Sequence, residues 1–120
     1  WGFANDDAHH AGDEGVAWNM VQADSRSANA IVDALRTGSF YASTGVVIES
    51  IRVAGNTIAV STHNAQRIVA SIDYARRVAQ VDATKMVYTA PSGIELSYVR
   101  FECFGAGESM AWTQPFFVTK

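Results

Sequence analysis

From Phe40 to the carboxyl end the sequence is one short apolar-alternating segment after another, separated by turn residues. That pattern limits the fold more than any other feature of the chain. Residues 46–53 and 57–61 flank Ala54-Gly55-Asn56, which predicts a hairpin, because glycine and asparagine tolerate the left-handed backbone that tight turns need. Residues 67–74 alternate, with Ile68, Ala70 and Ile72 on one face. Residues 78–81, 85–90, 96–104 and 111–118 complete the set, and Pro91-Ser92-Gly93 and Gly105-Ala106-Gly107-Glu108 mark turns between the later strands. Pro115 lacks an N–H to give a ladder, so the last strand is predicted to lie at an edge or to carry a bulge. Seven or so short strands with regular turns predict a mainly β fold, an antiparallel β-sandwich of immunoglobulin-like kind.

A loop and one helix precede this sandwich. Residues 1–15 hold four carboxylates, two of the three histidines and three glycines, too many ionisable groups for a core element. Residues 16–21 are apolar enough for a short strand. The segment from Ser27 to Gly38 reads as a helix, with Ile31, Ala34 and Leu35 on one face. The Ser27 hydroxyl suits the N-cap, Arg36 the last turn, and Gly38 the stop. The texture changes near residue 41, which divides the chain into 1–41 and 42–120.

Composition excludes several functions. With 9 basic against 12 acidic residues the formal charge is −3, so a generic nucleic-acid binder is disfavoured; Arg67, Arg76 and Arg77 are the only candidates for a basic patch. No apolar run approaches the roughly 20 residues that cross a bilayer. The single cysteine, Cys103, excludes an internal disulfide and falls within an alternating apolar segment, as a buried small hydrophobe would. Trp18 and Trp112 also lie in apolar alternation, which predicts core packing rather than ligand stacking. His63 reads as a surface histidine, and Ser43-Thr44-Gly45 as a turn into the next strand.

The residues that carry chemistry are Asp7 and His9. In extended backbone, positions i and i+2 point to one side, so the carboxylate and imidazole of Asp7-Ala8-His9 could reach one metal ion or two adjacent ones. On spacing alone such pairs arise by chance, and an acidic loop with histidines is usually just solvated. Its neighbours add to it. The order is an apolar start, Asp-Asp-Ala-His, Gly15-Val16-Ala17-Trp18, the helix, and Gly38-Ser39-Phe40-Tyr41-Ala42-Ser43-Thr44-Gly45. Tyr98-Val99-Arg100-Phe101-Glu102 and Ala111-Trp112-Thr113-Gln114-Pro115 close the series. This layout resembles the C-terminal part of the PHP family, the polymerase and histidinol phosphatase metallo-phosphoesterases, and within it members that carry a β-rich tail after the catalytic barrel.

The resemblance implies that residues 1–41 are the end of a PHP-type barrel and 42–120 an accessory β domain. It implies that Asp7 and His9 are ligands to divalent zinc, manganese or iron, in a cluster whose other His, Asp and Glu ligands lie upstream. The intact protein would hydrolyse phosphoesters. This chain, holding only the last motif, is expected to be inactive alone and to bind no metal tightly. Asp6 and His10 would point away from the pair, and Asp13 and Glu14 read as loop charges. The expected partner is the upstream barrel of the same protein, with homo-oligomerisation an open alternative and neither membrane nor nucleic acid involved; a cytoplasmic location is favoured. Cut off from that barrel, residues 1 to about 15 are expected to be disordered or held by a neighbouring chain. The competing expectation is a self-standing sandwich that binds a sugar, a peptide or a protein.

Overall fold

The computed structural model describes residues 1–92 and 97–118. The α-helix α1 (Ala28–Thr37) has the ends its sequence calls for. The Ser27 hydroxyl accepts from Ala30 N at 3.2 Å, and Gly38 stops the helix at φ 78°. A Cβ on Gly38 would stand 2.8 Å from the Trp1 ring, so the glycine both turns the chain and admits the indole.

Among the described residues ten strands follow or flank that helix: β1 (Trp18–Val21), β2 (Phe40–Ser43), β3 (Ile48–Ala54), β4 (Thr57–Thr62), β5 (Arg67–Ile72), β6 (Arg76–Val81), β7 (Lys85–Thr89), β8 (Tyr98–Phe104), β9 (Met110–Trp112) and β10 (Phe116–Phe117). They form two antiparallel sheets. The larger runs β1-β2-β9-β8-β5-β6, with β10 also on β8; the smaller runs β3-β4-β7. The fold is therefore mainly β, a sandwich of unequal layers, as the alternation predicts. Ile48, Ile58, Val60 and Met86 of the small sheet pack on Ile68, Ala70, Ile72, Val99, Phe101, Cys103 and Ala111 of the large one. Burial pushes the Cys103 thiol up to about 12, the environment of an inert core residue rather than a reactive one.

Several details differ from the periodicity reading, each for a physical reason. The last strand is broken in two. Residues 113–115 leave the ladder around Pro115, and the Thr113 hydroxyl accepts from Phe101 N at 3.0 Å in place of a backbone carbonyl. The strand predicted from Leu96 is described from Tyr98; Leu96 and Gly93 lie outside the described residues. β5 ends at Ile72, where Tyr74 and Ala75 turn the chain with positive φ and Tyr74 stands fully exposed. Trp18 is not a core residue. It pairs with Ser43 and so shares the inward face, but the three-stranded layer is the narrower one, and Trp18 and Met20 on the far edge strand stay 38% and 44% exposed.

The amino end is ordered on its own sandwich, against the expectation of a loose segment. Two side-chain amides pin it. Asn19 accepts from Ala4 N at 2.9 Å and donates to Ala4 O at 2.8 Å; Gln114 does the same for Gly2, at 2.8 Å each way. Alternate residues of the strap are thus held through both backbone polar groups, which replaces the ladder a paired strand would have. Phe3 stacks on Phe40 at 4.6 Å between ring centroids, and the Trp1 indole donates to Arg36 O at 2.8 Å. The boundary drawn between residues 41 and 42 runs through β2, and that strand pairs with β1 on one side and β9 on the other.

Candidate functional site

The strap leads from Asn5 into the Asp-Asp-Ala-His turn, and one side chain shapes the turn. The carboxylate of Asp6 accepts from Gly15 N, Val16 N and Ala17 N, each at 2.8 Å. These three amides lie nine to eleven residues downstream, so Asp6 closes the base of the whole loop. The amides favour the ionised form, led by that of Ala17, and hold the Asp6 carboxyl below its ordinary 3.8. Asp13 performs the same service higher up, accepting from His9 N and His10 N at 3.0 and 2.9 Å. Asp13, read from sequence as a loop charge, is thus a structural acceptor.

The backbone at Asp7 is left-handed, with φ 48°, and Asn5 accepts from its N–H at 3.0 Å. The extended geometry that would put Asp7 and His9 on one side by alternation is therefore absent. A different contact joins them: His9 Nδ1 lies 2.6 Å from Asp7 O. A carbonyl has no proton to offer, so Nδ1 carries the hydrogen. In the neutral ring the lone pair is then on Nε2, facing away from that bond. A ligating histidine is commonly oriented this way, its second nitrogen donating to a carbonyl that fixes ring and tautomer. Asp7 and His9 are both exposed, and among the described residues no protein group bonds the Asp7 carboxylate. The pair thus offers one carboxylate and one imidazole nitrogen, a donor set that suits zinc, manganese or iron. Among the described residues no third His, Cys, Asp or Glu is grouped with them. His10 and Glu14 are exposed.

The other sequence candidates lie elsewhere. His63 is a surface residue 3.7 Å from Glu49. Ser43 turns inward and donates to Val46 O at 2.8 Å, fixing the bend before β3. Arg76 and Arg77 open the exposed edge strand β6, and Arg67 pairs with Asp82 at 2.7 Å, so among the described residues no continuous basic face arises. What sequence reasoning missed is a pocket of about 440 Å³ under the strap. Gly2, Phe3, Ala4, Asn5 and Ala17 form one wall, Ala42, Arg100 and Trp112 the floor, and residues 113–115 the far wall. The Gly2–Gln114 bonds and the Trp1–Phe117 ring contact, 6.0 Å between centroids, bring these segments together, and neither is visible to local patterning.

The fold and site thus define a β-sandwich carrying an acidic, histidine-bearing loop on its amino-terminal strap. Residues 2–40, which span the strap, the loop, β1 and α1, match the family model described as PHP-associated. That match is consistent with a C-terminal portion of a PHP-family protein. No curated protein and no solved structure matches the chain. Among the described residues no helix is long and apolar enough to cross a membrane.

Proposed function

We propose that the chain is the C-terminal part of a PHP-type metal-dependent phosphoesterase, in which Asp7 and His9 supply the last ligands of the metal cluster. The observation that carries this reading is the state of His9. Its Nδ1 is tied to Asp7 O within a loop that matches the PHP-associated family, and its Nε2 is left for coordination. When bound, divalent zinc, manganese or iron would acidify an attacking water and neutralise charge building on the phosphoryl oxygens. The chain's own residues hold the ligands in place. Asp6 anchors the loop base, Asn5 fixes the turn at Asp7, and Asp13 fixes the backbone at His9. Two protein ligands are fewer than the three usual in catalytic zinc sites, so hydrolysis belongs to the intact protein.

Residues 42–120 serve in this reading as an accessory domain that packs on the upstream barrel. The exposed Trp18 and Met20 on the unpaired edge of β1 support such a neighbour, since apolar groups there would be covered by it. The test is to express the complete reading frame that contains these residues. Phosphomonoester hydrolysis and metal content are then compared for the parent, Asp7→Asn and His9→Ala. Each substitution is expected to lower hydrolysis on the order of 100-fold or more, with loss of bound metal. Unchanged hydrolysis and metal content in both variants would refute the assignment.

A further inference from the structure

The pocket under the strap holds a guanidinium that pairs with no carboxylate among the described residues. Arg100 lies in the middle of β8 on the outward face of the large sheet and lines the pocket with Trp112, Thr44, Phe3 and Gln114. Its Nε is buried and has no hydrogen-bond partner. The ion pairs among the described residues are Arg36–Asp33, His63–Glu49 and Arg67–Asp82, and Arg100 enters none of them. Ser71 stands directly opposite Arg100 in the β5–β8 ladder, only 2% exposed, and its hydroxyl too has no partner. Two orphaned polar atoms thus sit at facing positions of one ladder.

Buried polar groups in native proteins are nearly always paired, and a half-buried guanidinium without a counter-ion is costly. Such an exception, at the floor of a pocket, calls for a ligand. The chemistry of that ligand follows from the lining. A guanidinium presents parallel N–H donors to two oxygens of a carboxylate or phosphate. Phe3 and Trp112 offer apolar ring surface, and the volume is that of a small-molecule site rather than a single-ion niche.

We propose that this pocket binds a small aromatic oxyanion, its carboxylate or phosphate held by Arg100 and its ring against Phe3 and Trp112. The Gln114 amide gives one N–H to Gly2 O, and its second N–H is the further donor. Asn5, which lines the pocket, also accepts from Asp7 N, so the pocket and the metal-motif turn share a residue. That the bound molecule is the substrate of a metal site rests on the reading above; the pocket does not.

The test follows the Arg100 Nε–H and Trp112 indole N–H resonances of the labelled chain during titration with phenyl phosphate, benzoate or inorganic phosphate. Saturable shifts at both groups are expected with phenyl phosphate or benzoate, whichever oxyanion fits, and weaker binding of inorganic phosphate. Arg100→Gln is expected to weaken binding about tenfold or more, and Arg100→Lys less, since lysine keeps the charge and loses the fork. The absence of a saturable shift with all three probes would overturn the proposal whatever the variants do. So would inorganic phosphate binding as tightly as both organic probes, or Arg100→Gln binding like the parent. Binding should persist in the double variant Asp7→Asn, His9→Ala, because neither residue lines the pocket, so this proposal and the metal assignment can fail separately.

Discussion

Truncating Phe101 to alanine is expected to destabilise the fold by about 3–5 kcal/mol, the range for deleting a buried aromatic side chain. Phe101 is fully buried at the centre of β8. It meets Tyr88 of the small sheet edge-on at 6.5 Å between centroids and Phe116 of β10 at 6.1 Å. One ring therefore joins both layers and the broken last strand. Its neighbours are held by backbone ladders on either side and cannot collapse into the space, so the cavity term adds to the lost transfer energy. Domains of this size are stable by about 5–15 kcal/mol, so the variant should sit near the edge of folding. Urea unfolding monitored by circular dichroism gives the number. Val87→Ala is the control: that side chain is 69% exposed, and the change should stay within about 0.5 kcal/mol. A loss at Phe101 no larger than the control's would mean that the two sheets do not share this core.

Asp6→Ala should release the loop that carries Asp7 and His9 while leaving the sandwich folded. The Asp6 carboxylate is the acceptor for three backbone amides, and among the described residues Gly15 N, Val16 N and Ala17 N have no other protein acceptor. Without it those donors turn to water and the loop loses its closure. The expected result is loss of hydrogen-exchange protection at these amides and new proteolytic cleavage between residues 6 and 17, with an unchanged urea midpoint. Acid should mimic the substitution. The folded carboxyl titrates below its ordinary 3.8, so the contribution is complete above that value and is lost as pH falls through the lower, folded one. The amide resonances of Gly15, Val16 and Ala17 should therefore titrate together, below pH 3.8. Protection that survives both the substitution and acid would show that the loop is closed by something other than Asp6.

How much of this was legible in the sequence depends on how local the cause is. α1 was, since Ser27, the Ile31-Ala34-Leu35 stripe and Gly38 each act within one or two turns. The hairpin at Gly55 was, because turn chemistry fixes it; Pro115 pointed to an irregular last strand, but as an edge or a bulge rather than the break observed. Alternation also identified Ile68, Ala70 and Ile72 as the inward residues of β5, and the burial of Cys103 in β8. It could not say how wide each layer is, and so misplaced Trp18, which has the right parity but no opposing strand. Nor could it find the strap. The amides of Asn19 and Gln114 reach residues 15 and 112 positions away, and no periodicity encodes such bonds. Asp6 was passed over for the same reason: its partners are backbone amides, which every residue has. For the candidate site, the residue types of Asp7 and His9 were readable, but their geometry was not. Alternation assumes extended backbone, and the left-handed turn at Asp7 arises from the Asn5 side chain. Arg100 gave no local sign at all, because having no ion-pair partner among the described residues depends on what fails to approach it from elsewhere in the chain.

The measurement that tests the central reading most directly is the coding sequence upstream of the Trp1 codon. A PHP-type phosphoesterase ending in this region predicts that the frame stays open there and encodes a His-x-His followed by further His and Glu ligands. A start codon immediately ahead of Trp1 would contradict it, leaving Asp7 and His9 as a loop pair on a self-standing sandwich.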